Sequence, residues 1–377
     1  MNWRRRAWTP VQGEQLPSDD GADQVDSGLV AQGGAGGAHR DPGVPRGTPS
    51  DSASPEAALS PAHRRGSAQA EQEHEQRAAT VLAVTNQKGG VGKTTTAISL
   101  AAALAARELR VLLVDLDPQG NASTGLDMRV SGDQFSTYHV IVDRVPVVDA
   151  IVATDVDGLD LVPSSLDLAG AEVELVAQFN RERRLAKALD EIRDAYDVVL
   201  VDCPPSLGIL TLNALVAADE ALVPIQCEYY ALEGVSQLLR TIDLVQADLN
   251  HGLHIGGVVL TMFDARTNLS QQVADEIRAF FGATAYTAVI PRTVRLSEAP
   301  SFGQPITVFD PSSRGARAYE RLAVEVAHRL GFSGEGDSLD LLLGLTDPTA
   351  RDEGADSHPT DNGHVSSPDL AHDTTNG

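Results

Sequence analysis

The run QKGGVGKTTT, Gln87 to Thr96, carries glycine, lysine and threonine at the spacing of a phosphate cradle. The usual pattern is G-x-x-x-x-G-K-[ST]. Counted back from Gly92, its first glycine falls on Gln87; instead an additional lysine, Lys88, precedes two adjacent glycines, Gly89 and Gly90. Glycines let backbone N–H groups turn toward phosphate oxygens, and a helix opening near Lys93 adds the positive end of its dipole. Gly89, Gly90, Val91, Gly92, Lys93, Thr94 and Thr95 therefore form a candidate nucleotide-binding loop. Lys93 is placed to meet the β and γ phosphates of ATP, and the Thr94 hydroxyl to ligate Mg2+. A glycine-rich turn before an ordinary helix is the plainer alternative, and GKTTT at a strand-to-helix junction argues against it.

Carboxylates follow at strand ends. VVLVDCPPSLG (198–208) is an aliphatic run ending in Asp202, the layout of a residue that holds Mg2+ through water. In LLVDLDPQGNAS (112–123), Asp115 and Asp117 sit at the end of the second strand, which is expected beside the first. Period-2 alternation puts both on one side if that strand continues to Asp117. One of them is then a candidate to orient or deprotonate the water that attacks the γ-phosphate. A polar loop after a strand explains either residue equally well without the other motifs.

These residues need a scaffold. Seven short aliphatic runs, at 80–86, 110–116, 159–164, 197–203, 220–226, 255–262 and 285–290, read as strands buried on both faces. Helical patterns at 93–107, 171–195, 208–217, 231–249, 269–281 and 315–330 alternate with them. The order predicts one α/β domain over 79–331, a mainly parallel twisted sheet with helices on both faces. Ligands of such sheets bind at the carboxyl ends of the strands. Aromatic residues are 4% of the chain, so the core must be aliphatic.

The ends differ in kind. Residues 1–78 are rich in Gly, Pro, Ser, Ala and Asp and are expected to be disordered, as is the acidic tail from 332 to 377. WRRRAW (3–8) and the apolar island LDLLLGL (339–345) stand out within them. The net charge of −24 excludes DNA binding by bulk charge, so any such contact needs a local basic patch. Cys203 and Cys227 have no disulfide or metal spacing and read as reduced core residues. No run of apolar residues is long enough to span a membrane, and a cytoplasmic protein is the default.

Taken together, KGGVGKTTT, VDLDPQGN, VDCPPSLG, TMFDARTNL and IPRTVRLSEAPSFGQPI resemble the ParA/Soj type of partitioning ATPase, within the deviant Walker A class. The resemblance covers about 79–331 and implies the following assignments. Lys88 is the signature lysine, which reaches across an ATP-dependent homodimer to the partner's phosphates, much as an arginine finger does. Lys88, Lys93 and Asp117 are the catalytic candidates, with Asp117 activating water and Asp115 nearer the metal shell beside Thr94 and Asp202. Pro291 and Arg292 fall where the family contacts adenine, although Thr293 stands where the family often has Asn. Arg266 and Arg295 match arginines that contact DNA without sequence preference, and Arg314, Arg317 and Arg240 are further candidates. The alternative for each arginine is an ion pair with a nearby acid such as Asp264, Glu298 or Glu320. A ParB-like centromere-binding partner with a short basic peptide would stimulate hydrolysis, and the protein would be nucleoid-associated. A MinD-like membrane-cycling ATPase shares the loop but calls for a basic amphipathic C-terminal helix, where this tail is acidic.

Overall fold

The computed structural model describes residues 77–229 and 231–332. The expectations for residues 1–76 and for the tail from 333, including WRRRAW and LDLLLGL, lie outside the described residues. Eight strands form one sheet: β1 (Thr80–Val84), β2 (Val111–Asp115), β3 (Val152–Ala153), β4 (Leu159–Val162), β5 (Val198–Asp202), β6 (Glu220–Gln226), β7 (His254–Phe263) and β8 (Ala285–Pro291). Their order is β3-β4-β2-β5-β1-β6-β7-β8. Every neighbouring pair is parallel except β3 with β4. The two-residue β3, unmarked in the sequence, closes one edge.

The aliphatic runs behave as buried strands should. Alternate side chains go to opposite faces, so Val81, Ala83, Leu112, Val114, Val199 and Val201 enter one core. Leu82, Val84, Val111, Leu113, Val198 and Leu200 enter the other. The α-helices longer than four residues are α1 (Lys93–Ala105), α2 (Leu168–Glu174), α3 (Arg184–Asp190), α4 (Ile209–Ala217), α5 (Ala231–Asp248), α6 (Asn268–Phe281), α7 (Val294–Glu298) and α8 (Arg314–Arg329). Helices α1 and α8 share one core, while α2 to α6 contribute to the other. Alanines dominate α1 and let it lie close to the sheet, with all of it buried but Thr94 and Thr95. A 3.1 Å hydrogen bond between the Thr96 and Tyr319 hydroxyls ties α1 to α8.

Three expectations are corrected. Residues 171–195 are not one helix but α2, a turn, α3 and short 3-10 pieces. The break falls at Asn180, whose φ of 55° lies in the left-handed region that asparagine tolerates. Strand β2 stops at Asp115, so Asp117 lies in the following loop. Nor does β2 neighbour β1, because β5 runs between them. That insertion sets Asp202 between the phosphate loop and Asp115.

Candidate nucleotide site

The loop between β1 and α1 is pinned from two sides. Asn86 donates from Nδ2 to the Pro224 carbonyl (2.8 Å) and accepts the Lys88 N–H at Oδ1 (3.0 Å). The Thr261 hydroxyl donates to the Val91 carbonyl (2.8 Å). Strands β6 and β7 thus fix a loop that could not hold its shape alone. Gly90 and Gly92 have φ of 72° and 86°, a conformation that costs other residues roughly 1–2 kcal/mol. No atom lies within 4 Å of where a Cβ would stand on Gly89 or Gly90, so the cradle is open on that side. No side chain caps the first turn of α1, which leaves its N–H groups directed at the loop's ligand space.

The two lysines have different environments. Lys93 is buried, and its Nζ donates to the Lys88 carbonyl at 3.4 Å. Burial lowers its pKa, and Asp202, Cys203 and Asp117 pull the other way. The Lys88 side chain is 41% exposed, with Nζ 3.9 Å from the Glu228 carboxylate. One lysine is therefore buried beside this chain's own loop, while the other is partly exposed.

The three aspartates divide the work. Asp115 and Asp202 stand in register on adjacent parallel strands. Asp115 accepts the Ser123 N–H (2.8 Å) and hydroxyl (2.7 Å) at Oδ2 and the Asp117 N–H (3.2 Å) at Oδ1. Burial still lifts its carboxyl to about 6. Asp202 is enclosed too, and burial and then Asp115 push its pKa well up. Thr94 is the donor that favours its ionised form, yet neither Asp202 oxygen completes a hydrogen bond. Asp117 accepts the Gln119 N–H at Oδ1 (2.9 Å), and its carbonyl accepts the Ser164 hydroxyl (2.7 Å).

Two buried carboxylate oxygens without donors, next to a threonine hydroxyl and an open phosphate cradle, fit a hydrated divalent cation. Mg2+ keeps several waters and takes few protein ligands, which agrees with the absence, among the described residues, of any acid, His or Cys cluster that could cage a metal. Thr94 and Asp202 are the residues that could hold it. The Asp115 oxygens accept three hydrogen bonds, which tie it to the 117–123 loop. Ser123 and Ser164 complete that support. Nothing in the sequence marks them, because Ser164 meets Asp117 and Ser123 only when the chain after β4 folds back beside the loop after β2.

The remaining candidates lie at the ends of β7 and β8 and on α7 and α8. Pro291 ends β8, and the Arg292 N–H donates to the Phe263 carbonyl (2.9 Å). Thr293 caps α7 by accepting the Leu296 N–H (3.4 Å). A shallow cleft beside α1 is lined by Thr95, Ile98, Leu296 and Pro300 among others; Pro291 and Arg292 are not among its lining residues. Arg266 donates from Nε and Nη2 to Asp264 (2.9 and 2.8 Å), and this pairing holds the Asp264 carboxyl down at about 2. Arg295 meets Glu298 (3.1 Å) and Asp310 (3.3 Å). The acid pairing weighed in the sequence is therefore present for both arginines, although their side chains stay 88% and 57% exposed. Arg314 and Arg317 lie in the first turn of α8, which holds no acid, and Arg317 donates to the Ser312 carbonyl (3.2 Å from Nε).

Known proteins are similar to this chain. A family model described as "AAA domain" matches residues 79–255. The sporulation initiation inhibitor protein Soj of Bacillus subtilis is 56% identical over 247 residues, 66% of this chain and 98% of that protein. The chain belongs to the ParA/Soj family of chromosome-partitioning ATPases. The chromosome partitioning protein ParA of Caulobacter vibrioides is 55% identical over 251 residues, covering 66% of this chain and 94% of that one. Among solved structures, cobyrinic acid a,c-diamide synthase of Mycobacterium smegmatis with bound ATP analog and magnesium superposes with a TM-score of 0.58. Its identity is 41%, over 66% of this chain and 95% of that chain. The cell division ATPase MinD of Pyrococcus furiosus has a TM-score of 0.56 at 28% identity, over 67% and 99%. Both expectations of the sequence, the ParA/Soj family and the mainly parallel α/β fold, hold.

Proposed function

We propose that this ParA/Soj-family chain is an ATP- and Mg2+-dependent switch that partitions DNA. Two ATP-bound copies pair through their phosphate loops, and each Lys88 neutralises charge on the partner's triphosphate. The observation that supports this best is the contrast between the lysines: Lys93 is buried in its own site and Lys88 is held only by a 3.9 Å contact to Glu228. A side chain that the local site does not use is free to serve another. Bound Mg2+ supplies charge neutralisation at the β and γ phosphates. The chain's own residues hold that ion (Thr94, Asp202), grip the phosphates (Lys93 and the loop N–H groups), and place a carboxylate, Asp117, for the attacking water.

The paired form would bind duplex DNA without sequence preference through Arg266, Arg295, Arg314 and Arg317. Cationic side chains in the first turn of α8 sit at the unfavourable end of its dipole. A phosphate backbone would relieve that conflict. A ParB-like partner presenting a basic peptide would trigger hydrolysis and release, and the acidic domain suits such a peptide. Among the described residues no helix is long and apolar enough to cross a membrane. The deciding experiment is ATP turnover titrated with plasmid DNA and basic partner peptides, with Asp117→Ala as control. Stimulation by both together is expected. Turnover indifferent to either would refute the partitioning role while leaving ATP binding intact.

A further inference from the structure

Strand β7 ends irregularly. Five non-glycine residues among those described have positive φ, and Met262, at 52°, is the one inside a strand. From Leu260 to Phe263 β7 advances three residues while β8 advances two, from Val289 to Pro291. The extra residue makes a β-bulge, and its left-handed position is one that glycine usually fills. On the β6 side the ladder stays regular through Gln226 and Thr261, and the Cys227 N–H donates to the Thr261 carbonyl (3.0 Å). The bulge resets which face the side chains take. Val258 and Leu260 enter the core under α2 to α6, and Val259 enters the core of α1 and α8. Strict alternation sends Thr261 to the α1 side and Phe263 with it. Thr261 does go there, its hydroxyl donating to the Val91 carbonyl (2.8 Å). Phe263 instead packs on the same core as Leu260.

We infer that Met262 is a positioning residue: its left-handed backbone, rather than its side chain, holds the phosphate loop through Thr261 and sets the Arg266 turn on the other side of the same bulge. The part that concerns Arg266 rests on the DNA reading above. Each side of Met262 is tied to one function. Before it, Thr261 is buried beside Gly92, its methyl group 3.9 Å from where a Cβ on that glycine would stand. After it, the Phe263 carbonyl accepts the Arg292 N–H (2.9 Å). Asp264 then turns the chain. Its N–H donates to the Ser270 hydroxyl (3.4 Å), and its carbonyl accepts the Thr267 hydroxyl (3.0 Å). Its carboxylate accepts the Arg266 N–H (3.1 Å) as well as the guanidinium. A strand without the extra residue would carry Phe263, and with it the start of the Arg266 turn, to the opposite face of the sheet. A strained residue persists where its surroundings over-determine it, and here the contacts before and after Met262 do so.

The test uses the full chain and separates backbone from side chain. Met262→Gly deletes the side chain but accepts positive φ, whereas Met262→Val keeps an apolar side chain but, being β-branched, resists it. With Mg2+ and a fluorescent ATP analogue, Met262→Gly should bind within twofold of wild type and Met262→Val at least fivefold more weakly. Thr261→Val removes the hydroxyl that meets Val91 and should weaken binding to a similar extent. Joined to Met262→Val it should add less than a further twofold, because both act through one contact. Duplex DNA binding at saturating ATP analogue gives a second readout: kept within twofold in Met262→Gly and weakened at least fivefold in Met262→Val. Lost ATP affinity in Met262→Gly, wild-type affinity in Met262→Val, or full additivity in the double variant overturns the inference. Where Met262→Val fails to fold, Met262→Gly still decides: retained affinity supports the backbone role and lost affinity refutes it. A wild type that binds ATP but not DNA refutes the DNA reading alone and leaves the nucleotide measurements to judge Met262.

Discussion

Asp115 and Asp202 stand in register on β2 and β5, the carboxylate of the first accepting three hydrogen bonds and that of the second none. Asp115 is a carboxylate held by donors, and Asp202 is one left without them.

That difference should show directly. Asp202→Asn is expected to raise the apo stability at pH 7 by about 1–3 kcal/mol, the scale of a buried unsatisfied group. The same variant should lose the Mg2+-dependent part of nucleotide stabilisation. Thermal melts with ATP, with and without EDTA, measure both; an unchanged Mg2+ effect would remove Asp202 from the metal site.

Asp115 predicts a pH slope. Its carboxyl titrates near 6 in the fold and near 3.9 when unfolded. Between those values the native chain holds the extra proton, so this group's contribution to stability falls as pH rises from about 4 to about 6 and is flat above. Asp264 has the opposite sign: its stabilisation is present above about 4 and is lost only as pH falls toward 2. Comparing wild type with Asp115→Asn by denaturant titration from pH 4 to 7 should reveal the falling component in the wild type alone. Equal slopes in the two proteins would contradict the assignment.

The lysines should separate binding from chemistry. Lys93→Ala is expected to weaken ATP binding tenfold or more, about 1.4 kcal/mol. Lys88→Ala should bind ATP like the wild type but lose turnover and normal pairing. Wild-type turnover in Lys88→Ala would refute its action on a neighbouring site.

Loss of the water-positioning carboxylate should stall the cycle after pairing. Asp117→Ala is expected to slow hydrolysis by about 10²–10⁴-fold and to accumulate an ATP-bound dimer. A variant that remains monomeric with ATP would count against that role.

For DNA, Arg266→Glu/Arg295→Glu should abolish binding and spare ATP affinity. Single neutral substitutions should each lower the salt slope of log affinity by about 1. Because Arg266 and Arg295 are paired with acids in the free chain, Asp264→Asn should tighten DNA binding. Unchanged affinity in the double reversal would dismiss the patch.

The chain's own order of residues determined the loop, the strand-ending aspartates and the strand–helix alternation, because each is written in local spacing: glycines where φ turns positive, aliphatic runs where both faces are covered. It also carried the family, through five motifs in order. What sequence did not decide was adjacency. Inserting β5 between β1 and β2 put Asp202, not Asp115, beside the phosphate loop, and ending β2 at Asp115 moved Asp117 into a turn. The break at Asn180 likewise divides 171–195 into separate helical pieces. Sheet order and helix breaks are settled by packing between segments far apart in the chain, and only the folded structure brings Ser164, Thr261 and Asn86 to the loops they hold.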